Sequence, residues 1–354
     1  MLLKPLRIGV IGLGFGSAIH IPGLQGIENV MVTTCLGRRS LHAAETAARH
    51  GVAKVCDSLD ALLAEPLDAV TIALPPAEVS HTLERVLERR LPVLCEKPVG
   101  TSADEAEQLA RLASQFNIVT AVDFQFRYVP AFQILASKIR SQTIGAFCHA
   151  SIEWHVYSFS HRNHKWSWKT DADQGGGVMT LLGSHLVDLI EWVLGPISRI
   201  YAHFDRRATQ EFCPLGASAA EDSAALTIEL VAGGTVTVSL SNASPGQTRH
   251  RWTIVGDQGT LILDNSSTDY MTNFSLAQHS SCQAPFLIEL LPGSSAADGR
   301  LPPFRALASS FLNQVRGKLP VDEDMPTLVH GARSQRLLTA AKQSNQIGQS
   351  IRIT

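Results

Sequence analysis

The sequence predicts an α/β chain: an N-terminal doubly wound parallel sheet over 1–125, then a second α/β domain over 126–354. Two observations predict the first domain. Residues 6–122 alternate short β-branched runs with helical patterns, and the runs are too apolar to keep one face in water. A glycine turn, "GLGFGS" at 12–17, separates the first run from the first helical pattern. The second domain is predicted by apolar runs that fold back on each other across turn residues. The C-terminal segment is left open to packing back on the first domain.

In order, the first-domain strands are "RIGVIGL", "VMVTTCL", "AKVC", "DAVTIAL", "PVLCE" and "NIVTAV". Helical patterns separate them: "SLHAAETAARHG", "SLDALLAE", "AEVSHTLERVLERR" and "SADEAEQLARLASQFN". A helix is expected at about 129–140, followed by the alternating strand "GAFCHASIEWHVYS". "SAALTIELVAGGTVTVSLSN" reads as a hairpin turning at Gly233-Gly234, and "RHRWTIVGDQGTLILDN" as one turning near Asp257–Gly259. The helices "PPFRALASSFLNQVRG" and "MPTLVHGARSQRLLTAAKQS" and a last strand, "QSIRI", complete the chain. Residues 265–302, rich in Ser, Ala and Pro, read as long loops.

The chain has 354 residues, 45% of them hydrophobic and 18% charged, which gives a globular composition with ample core. A net charge of -2 carries no electrostatic footprint for nucleic acid or an anionic membrane. No apolar run is read as a membrane span. The N-terminus runs straight into a strand with no signal-peptide pattern. The six cysteines (35, 56, 95, 148, 213 and 282) show no CxxC spacing and read as reduced core thiols. A cytoplasmic location is expected.

Three features of the first domain carry chemistry. In "GLGFGS", Gly12 permits the tight turn and Gly14 lets the backbone approach a pyrophosphate. The third glycine of the usual G-x-G-x-x-G is replaced by the small Ser17, with Gly16 one place early. The second strand ends in Gly37, Arg38, Arg39 and Ser40, where an NAD site usually places Asp or Glu. Guanidinium groups pair with a 2′-phosphate, so NADP(H) is expected over NAD(H). The alternative is that the arginines open a solvated helix, with Ser40 as its N-cap. Finally, "LCEKPVG" at 94–100 ends a parallel strand in Glu96, Lys97 and Pro98. Ligands of open α/β sheets bind at those strand ends, so Lys97 is the candidate for proton transfer.

These motifs resemble the Gfo/Idh/MocA family, the glucose–fructose oxidoreductase and inositol dehydrogenase group. "GLGFGS", "ALPP" at 73–76, "CEKPVG" at 95–100, "FQFRYVP" at 124–130 and "GGGVMTLLGSH" at 175–185 occur in the family's order and spacing. The resemblance implies an NAD(P)-binding Rossmann domain and a second domain built on a large, mostly antiparallel open sheet. It implies a homodimer or homotetramer through that sheet. It also implies cofactor contacts at Gly12, Gly14, Phe15, Gly16, Ser17, Leu74, Pro75, Glu96, Lys97 and Gln125, joined by Arg38, Arg39 and Ser40. Its implied activity is hydride transfer between nicotinamide and a sugar, cyclitol or nucleotide-sugar-like polyol.

The stretch "GGGVMTLLGSHLVDLIEWVLG" at 175–195 carries one imidazole and one carboxylate in an apolar helix. At helical spacing Leu182, Leu186, Leu189, Ile190 and Val193 share a face, with His185 and Asp188 on its flank. The flank is expected to face the crevice between domains. The glycines are expected to seat the helix against the cofactor. The resemblance makes His185 the active-site histidine, steadied by Asp188; the bland alternative is a core histidine satisfied by that aspartate. The family's aspartate four residues before this histidine is absent, and Leu181 stands there. A lysine base must fall about 3 units from its usual pKa of about 10.4, and an apolar wall helps it do so. Leu181 would then assist Lys97 while removing an anchor for substrate. Asp123 is a remote candidate for the missing carboxylate.

His20, Arg127, Trp166 and Trp168 complete the substrate candidates, with Lys97 and His185. Flat indoles make good walls for sugar rings, and Lys165 and Lys169 would meet a phosphate or carboxylate. His161 and His164 are half a metal site at most, and no metal is expected. The alternative to an enzyme is an NADP-binding sensor or regulator of the same fold without turnover.

Overall fold

The computed structural model describes residues 4–280, 286–288 and 298–353. Its described residues form two compact units. One takes in Met1–Tyr128 and Ala296–Gln335; the other takes in Val129–Ser295 and Arg336–Thr354. The sequence places one boundary, at 125/126. The structure places the first crossing after Tyr128 and returns the chain to the first unit before the long helix Leu328–Ile347.

The first unit holds six strands: β1 (Leu6–Ile11), β2 (Val30–Leu36), β3 (Lys54–Cys56), β4 (Ala69–Ile72), β5 (Val93–Cys95) and β6 (Thr120–Val122). All pair in parallel, in the order β3-β2-β1-β4-β5-β6. The order reverses between β1 and β4, so the crevice at their carboxyl ends is the switch point where such sheets bind ligands. Apolar residues cover both faces, as the near-continuous β-branched runs require. One face is closed by Phe304, Leu307 and Phe311 of the helix Leu301–Val315, packed with Ile8, Val10 and Ile19.

The second unit holds a nine-stranded sheet of β7 (Phe147–His155), β8 (Ile197–Asp205), β9 (Ser223–Leu230), β10 (Thr235–Ser241), β11 (Arg249–Gly256), β12 (Gly259–Asn265), β13 (Ser275–Ser280), β14 (Phe286–Ile288) and β15 (Ile351–Arg352). Only β7 and β10 pair in parallel; the other pairs are antiparallel. Both expected hairpins form. Gly233 and Gly234 sit at φ 92° and 85°, the left-handed conformation that the β9–β10 turn demands. Residues 265–302 are not all loop, because "SLAQHS" pairs with β12 as β13. Its short polar sequence hid a strand held by backbone pairing. Parts of that range, with Cys282, lie outside the described residues.

The helix at the end of the glycine run opens with a π turn, Met179–Gly183, before the regular helix Ser184–Leu194. The regular helix is buried well beyond one face: every residue from Ser184 to Ile190 is buried, and it packs on the helix Pro130–Arg140. By length and composition alone, Ala172–Leu194 is apolar enough to cross a membrane, which corrects the reading that no such run exists. Most of that run is buried in the fold, as for the core helix of a globular domain. The cysteines also divide: Cys35, Cys56 and Cys95 are buried thiols, whereas Cys148 is exposed and Cys213 half-buried.

Candidate active site

In the first unit the glycine turn has the shape a dinucleotide needs. Gly12 sits at φ 89°, and a Cβ there would meet the Ala73 carbonyl oxygen at 2.3 Å. Only glycine lets β1 turn this tightly against the start of "ALPP". A Cβ on Gly14 would meet nothing within 4 Å, so the backbone faces open space. Gly16 and Ser17 begin a π turn, Gly16–His20, that leads into the first helix. Phe15 packs edge-on against His20, with the Arg300 guanidinium 5.2 Å over its ring. Leu74 and Pro75 are half-buried at the end of β4. These residues fit a dinucleotide: the turn is held open where a side chain would block it.

Arg39 is the N-cap residue of the helix Ser40–His50, so Ser40 begins that helix and does not cap it. The Arg38 side chain is 80% exposed and pairs with Glu78 on the helix Pro76–Glu88. Sequence reasoning missed Glu78, because its position 40 residues downstream gives no local signal.

Beside this turn lies a cluster named only piecemeal by the sequence. Glu96 follows β5, its amide donating to the Ile72 carbonyl; Asp123 follows β6, its amide donating to the Cys95 carbonyl. His20, fully buried, stacks on Phe304 and places Nε2 3.2 Å from Oε1 of Glu96 and 4.0 Å from Oδ2 of Asp123. Among the described residues this is the set whose ligand-type atoms could hold a metal, all within 4.8 Å of one another. A shared proton accounts for the arrangement equally well. Burial pushes the Asp123 carboxyl well above the usual carboxylate range, reinforced by the charge of Glu96. Burial also works to raise Glu96, but hydrogen bonds from His20 and Asp123, with the charge of Lys97, outweigh it and hold that group low. One carboxylate, one carboxylic acid, an imidazole and the half-buried Lys97 therefore meet at the strand ends.

Gln125 is buried, and its side-chain oxygen has no hydrogen-bond partner among the described residues. Arg127 is 4% exposed and donates to the Asp324 carbonyl at 3.2 Å. His20 and Arg127, both expected to meet substrate, are thus engaged inside the first unit. His20 is enclosed by aromatic packing and Arg127 by a backbone acceptor.

The second unit carries a cavity of about 590 Å³ lined by Trp154, Trp168, Leu181 and Leu182 among others. Trp168 is among the lining residues, and Trp166 is not. His185 and Asp188 are 7% and 5% exposed, and neither lines the cavity; the flank expected to face a crevice is buried. The His185 and Trp154 rings are tilted to each other, with 6.4 Å between their centroids.

The glycines seat the helix against protein. A Cβ on Gly176 would meet the Trp168 carbonyl oxygen at 2.3 Å, and one on Gly177 would strike the Glu221 carboxylate. Glu221 caps the helix start by accepting from the Met179 amide at 3.1 Å, and burial pushes its pKa up. The run therefore fixes the Trp168 wall of the cavity. His161 is a core histidine: Nδ1 lies 2.8 Å from Ser158 Oγ and Nε2 3.1 Å from Thr209 Oγ1. His164 stacks on Phe212. The sequence missed Tyr157, Arg162, Asn242 and Tyr270 in the lining. Only Trp168, with Lys165 and Lys169 beside it, signalled part of it.

Comparison with known proteins agrees with both halves of the chain. Residues 6–124 match the model of an oxidoreductase family with an NAD-binding Rossmann fold, and residues 132–262 match the model of the GFO/IDH/MocA C-terminal domain. An uncharacterized oxidoreductase of Synechocystis sp. is 30% identical over 353 residues, covering 96% of this chain and 94% of its own. A levoglucosan dehydrogenase solved with NADH and L-sorbose shares the fold at 18% identity, with a TM-score of 0.87 over 99% of this chain and 100% of its own. An oxidoreductase from Agrobacterium radiobacter solved with NAD+, L-tartaric acid and magnesium does so at 19% identity, with a TM-score of 0.83 over 99% and 98%.

Proposed function

The chain belongs to the GFO/IDH/MocA family of NAD-binding oxidoreductases, and from that premise we propose that it is an NADP(H)-favouring dehydrogenase or reductase. Its proposed substrate is a sugar, cyclitol or nucleotide-sugar-like polyol. When bound, the nicotinamide supplies the hydride acceptor or donor. Gly12 and Gly14 leave the backbone bare for the pyrophosphate, and Arg38 with Arg39 offers guanidinium groups to a 2′-phosphate. The sugar ligand in the levoglucosan dehydrogenase structure supports the substrate class.

The single observation that carries the reading is the placement of Lys97. It stands two residues after β5, at the strand ends, beside Glu96 and Asp123. In the oxidising direction the substrate hydroxyl gives its proton to the Lys97 amine; in the reducing direction the ammonium returns it. An anionic neighbour disfavours a neutral lysine. A proton held on Asp123 leaves Glu96 as the one carboxylate charge of the pair. His185 and Asp188 are the second unit's candidates for orienting the substrate hydroxyl.

The test is Lys97→Met. Cofactor binding should persist while turnover, followed at the reduced-nicotinamide absorbance band over a panel of sugars and cyclitols, is lost; unchanged turnover overturns the assignment. Arg38→Ala should weaken NADP(H) more than NAD(H), and tighter NAD(H) binding by the parent overturns the cofactor preference. The second reading, a cofactor-binding sensor without turnover, is favoured by the apolar Leu181 in the cavity wall. Binding without turnover over a broad panel would establish it. A cytoplasmic location is proposed from the cysteine pattern of the sequence, which has no CxxC spacing. Self-association through the second unit's sheet is supported by the family alone and is read by light scattering.

A further inference from the structure

The cavity of the second unit has a charge bias that a neutral polyol does not use. Arg162, Lys165 and Lys169 line it, and among the described lining residues there is no carboxylate. Each cation is held at an aromatic wall: Arg162 lies 5.9 Å over the Tyr157 ring, Lys165 5.6 Å over Phe159 and Lys169 5.9 Å over Trp168. Arg162 is fixed further by a hydrogen bond to the Tyr157 carbonyl at 3.0 Å. Such contacts draw the charged heads to the rings that bound the cavity. Three like charges around one concavity favour an anion there.

A second, independent observation points to a hydroxyl-bearing ligand. Asn242 lines the same cavity at 3% exposure, and its side-chain oxygen has no hydrogen-bond partner among the described residues. A buried amide oxygen left without a donor is costly, and a ring hydroxyl entering the cavity supplies one. The aromatic walls suit the flat apolar face of a sugar ring.

We propose that this cavity takes a polyhydroxylated ring carrying an anionic group, a carboxylate or a phosphate. The anion meets Arg162, Lys165 and Lys169, and a ring hydroxyl donates to Asn242. The inference rests on the reading of this chain as a polyol oxidoreductase and narrows its substrate class.

The test is titration calorimetry on the full chain, with and without NADP(H), using hexoses, the matching hexuronates and hexose 6-phosphates, and inorganic phosphate. An anionic ring should bind at least tenfold tighter than its neutral partner, and the advantage should shrink between low and high salt. The arm that binds tighter, uronate or phosphate, identifies the anion. Lys165→Met combined with Lys169→Met should remove most of the tenfold preference, read as the ratio of anionic-ring to neutral-ring affinity; Asn242→Leu should weaken both classes of ring. Circular dichroism verifies that the variants fold. Equal affinity for neutral and anionic rings, no binding of either anionic ring at millimolar concentration, or a preference that survives the double substitution overturns the proposal. Inorganic phosphate binding as tightly as the phosphorylated rings also overturns it. Acid-selective binding with no cofactor-linked turnover upholds this inference while refuting the enzyme reading.

Discussion

Nε2 of His20 lies 3.2 Å from Oε1 of Glu96, inside the first unit and directly beside the lysine assigned to proton transfer. Asp123 stands on the other side of the same nitrogen at 4.0 Å. The two carboxyl groups do not ionise alike. Asp123 keeps its proton because it is buried next to the charged Glu96, and Glu96 stays charged because His20 and Lys97 face it. Asp123→Asn preserves that neutral group and is expected to leave stability at pH 7 within about 1 kcal/mol of the parent. Glu96→Gln removes the anion that His20 and Lys97 face and should cost about 3 kcal/mol. Asp123 binds a proton in the folded chain that the unfolded chain releases above its ordinary pKa. Parent stability from this group is therefore fully present below that value and falls as pH rises from it toward the raised folded value, and the Asp123→Asn variant should gain on the parent as pH rises above 4. Urea melts over that range decide it; a greater loss from Asp123→Asn than from Glu96→Gln reverses the proton assignment.

The glycine run gives a sharper prediction about packing. A Cβ on Gly176 would lie 2.3 Å from the Trp168 carbonyl oxygen and 2.7 Å from the Lys169 carbonyl carbon, both backbone atoms. Neither can rotate away, so Gly176→Ala must displace the Trp168 segment, at an expected cost of about 2–3 kcal/mol. Gly51 is the control. It sits at φ 65° with nothing within 4 Å of a Cβ, so Gly51→Ala meets only the left-handed backbone penalty, about 1 kcal/mol. Thermal melts compare the two, and tryptophan emission should change only for Gly176→Ala. Equal costs would mean that contact with Trp168 does not hold the run in place.

Those two sites show what the sequence could and could not reveal. The strands of the first unit were legible because each is buried on both faces and so is written in β-branched residues. β13 was not, because "SLAQHS" owes its place to pairing with β12. Gly12 was legible because the turn geometry is local, whereas the partners of Gly176 depend on how residues 168–169 return to the helix. His20, Glu96 and Asp123 were each noticed alone. Their meeting depends on three strand ends brought together by the order β1-β4-β5-β6, a long-range fact. The burial of His185 was not legible because a helix wheel assumes one exposed side, and this helix is buried on nearly every side. The π turn ahead of it breaks the regular spacing on which the wheel depends.

Leu181 decides the chemistry of the cavity wall. It is half-buried in the π turn and shares the lining with Arg162, Lys165 and Lys169. Leu181→Asp introduces a carboxylate among those cations. It should lower affinity for an anionic ring about fivefold and leave a neutral ring within twofold, in line with about 1 kcal/mol for a partly exposed charge. Leu181→Asn changes polarity without charge and should keep the preference for the anion. Calorimetry on the three proteins measures the ratio directly; a loss of preference in Leu181→Asn would show that shape, and not charge, sets it.

The last prediction concerns acid stability and rests on a histidine outside both candidate sites. His250 on β11 lies flat on Trp154, with 4.1 Å between centroids and 3° between planes. Its Nε2 accepts from the Trp252 indole N–H at 3.0 Å, so the neutral ring carries its proton on Nδ1. Burial lowers its pKa to about 3 from the ordinary 6.5. Between those values the unfolded chain binds one proton that the folded chain refuses, so stability rises with pH there and is lost as pH falls below 6.5. The slope from this group alone is about 1.4 kcal/mol per pH unit. His250→Gln keeps an acceptor for Trp252 and does not titrate. It should start lower at pH 7, having lost the stacked ring, and then fall less steeply by about one proton. All five tryptophans (154, 166, 168, 192 and 252) lie in the second unit, so indole emission during urea melts at pH 7, 6 and 5 reports that unit alone. His161 also titrates low through burial, but it is present in both proteins and cancels in the difference. Parallel pH profiles for parent and variant would mean that His250 is protonated as readily in the fold as outside it.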